Sequence, residues 1–153
     1  MKRLISIKED CYKRIIKNEV SRATLLIRNL KIPFYCFLRE KERKVFLRKI
    51  RSTKFYWDTM IEKKEGKKTR AWCLIDSNTI AFNRRFYEES REEYGVPGLS
   101  RFVGALRHEL CHLMSMYHNE RFNFWIKVLG GSRFGDSSRL EYINAIKSYL
   151  KKI

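Results

Sequence analysis

The sequence has no apolar run long enough to cross a bilayer as a helix. Its longest, Ile32-Pro33-Phe34-Tyr35-Cys36-Phe37-Leu38, falls far short of the ~20 residues a spanning helix needs. No secretory leader is expected either. Lys8, Glu9 and Asp10 follow the opening Met1-Lys2-Arg3-Leu4-Ile5-Ser6 at once, so an intracellular location, cytoplasmic or nuclear or nucleoid-associated, is expected. None of the four cysteines, Cys11, Cys36, Cys73 and Cys111, lies in a CxxC pair. That excludes a zinc ribbon and a redox dithiol. Spread among apolar neighbours, the cysteines are expected to be buried free thiols in a reducing compartment. No repeat or low-complexity linker divides the chain. Its 153 residues are expected to form one domain over 1–153, large enough to bury a core without staples.

Acidic residues are also scarce. There are 17 Asp and Glu against 34 Lys and Arg, a net charge of +17. Residues 1–70 carry 22 basic and 8 acidic groups, residues 71–153 carry 12 and 9. A basic half of this kind points to a polyanion, most often nucleic acid. A membrane surface fits less well, and none is expected as a partner, because basic and acidic groups are mixed along the first helix. A hydrophobic content of 44% with 14% aromatics excludes a disordered chain.

Hydrophobic spacing gives the elements. Ile7, Cys11, Ile15, Ile16, Val20, Ala23, Ile27 and Leu30 predict an amphipathic helix over residues 7–30. Pro33 ends any helix before it. Ile32 to Leu38 then reads as a strand, Lys44 to Ile50 as a second strand in preference to a short helix, and Phe55-Tyr56-Trp57 as extended. Residues 62–68 form a charged loop around Gly66. Ala71 to Asp76 and Thr79 to Phe82 flank Ser77-Asn78 as a hairpin. Residues 85–94 read as a short acidic helix, broken at Val96-Pro97-Gly98. Ser100 is the expected cap of a helix running to about Tyr117. Phe122 to Leu129 follows as a helix stopped by Gly130-Gly131. Asp136-Ser137-Ser138 caps a last helix with Leu140, Ile143, Ile146 and Leu150 as its stripe. The order predicts an α+β fold: an N-terminal helix, a small three- to four-stranded, mostly antiparallel sheet, a central helix and C-terminal helices.

Histidine is rare and closely placed. All three, His108, His112 and His118, fall within one short window. His108-Glu109-Leu110-Cys111-His112 places two imidazoles one helical turn apart on one face, able to share a metal ion. Zinc takes such nitrogens at ~2.0–2.1 Å in tetrahedral sites; nickel, cobalt and copper also suit imidazole. Two neutral imidazoles hold Zn²⁺ without cancelling its charge. The ion acidifies bound water and polarises a carbonyl. Glu109 sits where it can take the water's proton and pass it to a leaving amine. The neighbours Leu106, Leu110, Leu113 and Met114 supply an apolar face that buries the helix. The third ligand is open on geometry. On a straight helix His118 stands about 80° off the face of His108 and roughly 9 Å up the axis from His112. It reaches the same ion only if the helix ends or bends after about Met116, and no glycine lies between His112 and His118; Asn119 could make that turn instead. Glu120 competes with it. Cys111 lies off the two-histidine face. Tyr117, Tyr142 and Arg121 are candidates to stabilise an oxyanion.

The pattern HExxHxxxxxHxxxF, from His108 through His112 and His118 to Phe122, resembles the minimal zinc peptidases of the WLM and YgjP-like group, relatives of the SprT/Spartan proteases. Thr79-Ile80-Ala81-Phe82-Asn83 is similar to the SprT-like strand that ends in an asparagine before a helix. The resemblance is strongest over residues 70–130 and holds only in outline over the first 60. The longer histidine spacing of Spartan is absent, as are a C-terminal zinc ribbon and a partner-binding tail. The resemblance implies that His118 completes a site for one Zn²⁺ and that the substrates are proteins trapped on DNA.

Such a protease needs a basic surface. The candidates are Arg39, Lys41, Arg43, Lys44, Arg48, Lys49, Arg51 and Lys54, then Lys63, Lys64, Lys67, Lys68 and Arg70. Tyr56 and Trp57 lie between these clusters and could stack on unpaired bases. The expected partner is DNA, single-stranded or bound without sequence readout, together with protein substrates. The competing readings are a zinc peptidase with a dedicated protein substrate that needs no DNA, and a nucleic-acid-binding module in which zinc is structural.

Overall fold

A computed structural model of the chain describes residues 2–63, 69–89, 98–132 and 140–150. Four strands and six α-helices follow one another among them: β1 (Leu4–Ser6), α1 (Asp10–Asn29), α2 (Phe37–Ser52), β2 (Lys54–Asp58), a 3₁₀ turn (Ile61–Lys63), β3 (Ala71–Leu74), β4 (Thr79–Phe82), α3 (Arg84–Glu89), α4 (Leu99–His112), α5 (Glu120–Leu129) and α6 (Leu140–Leu150). The fold is α+β. The sheet runs β1-β2-β4-β3. Its outer pairings are antiparallel, and the central β2–β4 pairing is parallel, with Tyr56 opposite Ala81. The β3–β4 hairpin turns at Asn78, whose φ of 48° suits a residue that tolerates the left-handed region.

The first helix follows its stripe, burying Tyr12, Ile15, Ala23 and Ile27, and with them the charged Glu19. The two strands expected after it are not there. Ile32 to Cys36 is a turn, Leu38 is already helical, and Lys44 to Ile50 lies inside α2. The reason is the spacing Glu42, Phe46, Ile50. These are the buried residues of α2, four apart, on one helical face. With Glu42 counted as polar the stripe is invisible, and what remains reads as a short apolar run. The helix is basic on its outside: Lys41, Lys44, Arg48 and Arg51 are exposed.

The sheet's core face holds Trp57, Ile80 and Phe82, and α4 packs against it through Phe102, Val103 and Leu106. Tyr12, Trp57, Phe82, Tyr87 and Phe102 form an aromatic cluster at that seam, edge-to-face except for the tilted Phe82–Phe102 pair. The cap of α4 is Gly98, not Ser100. Gly98 has φ +63°, and a Cβ there would lie 1.7 Å from the Tyr87 carbonyl oxygen. Ser100 is buried inside the helix. On its other side α4 is tied to α1 by Arg107, whose guanidinium donates twice to Glu19 at 2.6 and 3.1 Å and once to the Gly130 carbonyl at 2.9 Å. Tyr149 of α6 donates to the same Glu19. A buried pair satisfied on both sides fixes how α1, α4 and α6 dock, and breaking one partner costs ~3–5 kcal/mol. The four thiols are free. Only Cys111 is buried, and the other three are half-buried. The expected cap at Asp136-Ser137-Ser138 and the far part of the 85–94 helix lie outside the described residues.

Candidate metal centre

α4 is buried along nearly its whole length, and His108 and Glu109 are buried with it. The helix stops at His112. Leu113 donates to the Leu110 carbonyl at 3.1 Å and Met114 to that of Cys111 at 3.0 Å, a tightened last turn that closes the helix. Lys49 of α2 donates from Nζ to the Leu113 carbonyl at 2.9 Å, placing a cation at the negative end of α4. The chain then reverses. Asn119, extended at φ −94° and ψ −169°, caps α5 by accepting from Phe122 N–H at 3.1 Å. This early stop removes the difficulty of the straight helix. The helix ends before Met116, the bends over residues 116–119 need no left-handed residue, and His118 comes back to His112.

The three imidazoles converge through Nε2. The His108–His112, His112–His118 and His118–His108 Nε2 separations are each 3.1 Å. His108 Nδ1 lies 3.0 Å from the Ser132 carbonyl, and His112 Nδ1 lies 2.8 Å from the Ser115 carbonyl. A carbonyl only accepts, so each Nδ1 carries the proton and donates it. The two Nε2 atoms are therefore bare lone pairs, and no proton is left to fill the 3.1 Å between them. Such a juxtaposition is repulsive unless a cation sits among the nitrogens. A tetrahedral site with bonds of ~2.0–2.1 Å spaces its ligand atoms ~3.3 Å apart, close to the triangle observed. Burial holds the His108 imidazole well below its ordinary range, at about 4, and lowers that of His112 as well. Both are neutral at pH 7, as ligands must be. The donor set fits a divalent metal ion; it does not choose among metals.

Phe122 forms the floor. Its ring lies 4.7–4.9 Å, centroid to centroid, from all three imidazoles and is fully buried. Glu109, next in sequence to His108, is buried. Burial alone pushes its carboxyl up to about 8. Glu120 does not join the cluster. Its side chain is 93% exposed and lies 3.6 Å from Arg39. Cys111 is fully buried in the core.

Two supports for the site were not foreseen. Ser132 acts through its backbone, so no side-chain type marks it, but the Gly130-Gly131 pair does. A Cβ on Gly131 would lie 2.5 Å from Ile126 Cδ1 and 3.2 Å from Arg107 Cβ, so a larger residue there would have to displace the Ile126 side chain to keep the Ser132 carbonyl aimed at His108. The second is Glu42. Its carboxylate accepts from Arg39 Nη1 at 2.9 Å, Arg121 Nε at 2.9 Å and Trp125 Nε1 at 2.8 Å. Arg121 also reaches the Met114 carbonyl at 3.4 Å. Glu42 thus clamps α5 and the reversal carrying His118 onto α2.

The other expected residues divide. Trp57 is fully buried and donates from Nε1 to Glu9 at 2.8 Å, so it has no face for a base; Tyr56 is half-buried. Arg39 is spent on Glu42 and on the Phe124 ring. Arg43 is spent on the Arg28 and Leu30 carbonyls. Lys41, Lys44, Lys63 and Arg70 are exposed, and Arg70 lies over the Phe86 ring. Lys64, Lys67 and Lys68 lie outside the described residues. Of the oxyanion candidates, Tyr142 is buried beneath Arg107 and Arg121 is held by Glu42, whereas Tyr117 is 72% exposed beside His118. No protein-family model matches the chain, and neither does any curated protein or solved structure.

Proposed function

We propose that the protein is a metal-dependent endopeptidase, with zinc as its ion, acting on proteins bound or crosslinked to DNA. The observation that carries this reading is the triangle of Nε2 atoms 3.1 Å apart with a buried carboxyl next in sequence to its first member. A structural site would use a fourth protein ligand. Among the described residues the metal-ligating group has three members, which leaves a coordination position for substrate chemistry.

His108, His112 and His118 hold the ion, and the Ser132 and Ser115 carbonyls keep the imidazoles of His108 and His112 in the ligating tautomer. When bound, the ion supplies Lewis-acid polarisation of a carbonyl and acidification of water. Glu109 is ionised when a cation is held beside it, because opposite charge favours the carboxylate over the protonated form that burial imposes. Its carboxylate takes the proton of the attacking water and returns it to the leaving amide nitrogen. Of the three oxyanion candidates Tyr142 is buried and Arg121 is held by Glu42, and this reading assigns the donation to the developing oxyanion to the exposed Tyr117. Strand β3 is an edge of the sheet, and an extended peptide can add to such an edge by main-chain hydrogen bonds. DNA recruitment rests on the exposed stripe Lys41, Lys44, Arg48 and Arg51, which reads phosphates without base specificity.

The test is cleavage of a basic DNA-binding protein by the zinc-loaded chain, with and without single-stranded DNA, for wild type and Glu109→Gln. Cleavage that needs both DNA and Glu109 is expected. Cleavage indifferent to DNA would replace the crosslink reading with a general peptidase. Full activity of Glu109→Gln would overturn the mechanism.

A further inference from the structure

The connection between α1 and α2 carries an apolar surface that neither the core nor the metal centre uses. Cys36 N–H donates to the Pro33 carbonyl at 2.9 Å, closing a turn with Phe34 and Tyr35 at its tip. Phe34 is 85% exposed, Tyr35 and Phe37 71%, and Leu38 56%. The turn is held in place. Glu40 N–H continues from the Cys36 carbonyl into α2, and Arg43 reaches back to the Arg28 and Leu30 carbonyls. The side chains are therefore presented outward by a braced backbone. Exposed cations stand on both sides: Arg28 and Lys31 before the turn, Lys41 and Lys44 after it. A shallow groove of Leu30, Ile32, Phe124 and Val128 continues the apolar surface, with Lys31 and Lys127 at its edge.

We propose that this turn docks the protein on an anionic lipid surface, with the aromatic tips in the acyl boundary and the flanking cations at the headgroup phosphates. The proposal goes beyond the peptidase reading and does not depend on it. Charge complementarity selects the occupant. A second copy of the chain would bring the same cations against one another. Base stacking would engage the rings of Phe34, Tyr35 and Phe37 but leave Leu38 and the apolar groove beside them without a partner. A bilayer takes both halves at once, apolar tips into hydrocarbon and lysines at phosphate. Segregation of apolar from basic groups, absent along the first helix, is found in the turn that follows it.

The full chain would be sedimented with vesicles of phosphatidylcholine alone and with vesicles of two parts phosphatidylcholine to one part phosphatidylglycerol. Binding to the anionic vesicles is expected to be stronger by about tenfold or more and to fall with added salt. The double variant Phe34→Ser/Phe37→Ser is expected to bind them about tenfold or more weakly. Its melting temperature and metal binding should stay unchanged, since both side chains are exposed. Two results would overturn the proposal: equal binding by the double variant, or no binding of wild type to anionic vesicles, which together with a loss in that variant of affinity for a single-stranded oligonucleotide would assign the turn to nucleic acid.

Discussion

Replacing Glu109 by glutamine removes a buried charge whose cost depends on pH. In the metal-free protein burial raises the Glu109 carboxyl from 4.5 to about 8. The folded state thus holds this proton more tightly than the unfolded chain does. The stability this contributes is complete below pH 4.5 and is lost as pH rises through 8. Glutamine has no such proton. The stability of Glu109→Gln relative to wild type therefore grows with pH, by about 1.4 kcal/mol per unit where the slope is steepest. Between pH 5 and pH 7.5 the change comes to about 3 kcal/mol, or about 6–12 °C in melting temperature for a domain of this size. Any fixed cost of burying an amide is the same at both pH values and cancels. So does His108, whose lowered pKa weakens both proteins alike as pH falls from 6.5 towards 4. The assay is urea unfolding in the presence of a chelator, for both proteins at both pH values. A stability difference that stays constant with pH would refute a buried carboxyl at Glu109.

His118→Ala should weaken zinc binding by more than the ~10–100-fold typical of a lost supporting contact, whereas Glu120→Gln, which alters an exposed side chain on Arg39, should leave affinity unchanged; metal competition titration reads both. Gly131→Ala forces a methyl group to within 2.5 Å of Ile126 and should cost about 1–3 kcal/mol in chemical denaturation. It should also lower metal affinity about tenfold by turning the Ser132 carbonyl from His108. Glu42→Ala strands Arg39, Arg121 and Trp125 and should cost about 3–5 kcal/mol. Phe122→Ala removes the floor under the three imidazoles at a similar ~3–5 kcal/mol.

What the sequence showed and hid follows from the range of each interaction. His108, Glu109 and His112 were legible because their spacing is a local property of one helix. The β3–β4 hairpin was legible because Asn78 marks its own turn. His118 was undecided because its position depends on where α4 stops, and that stop is enforced partly from outside, by Lys49 on the Leu113 carbonyl. Strand β1, three residues long, has no periodicity to show and exists through its pairing with β2. The stripe of α2 was hidden by Glu42, a carboxylate that is buried because two distant donors, Arg121 and Trp125, meet it together with the local Arg39. Trp57 stood among basic residues in sequence, yet strand alternation turned it into the core.

The central claim is that His108, His112 and His118 together hold one divalent cation. Calorimetric titration of the chelator-treated protein with zinc tests it most directly, alongside each histidine-to-alanine variant. The account predicts one ion per chain, release of close to one proton at pH 7, from the Glu109 carboxyl and not from the already neutral His108 and His112 imidazoles, and a large loss of affinity in all three variants. Absence of binding, or wild-type affinity in any one variant, would contradict it.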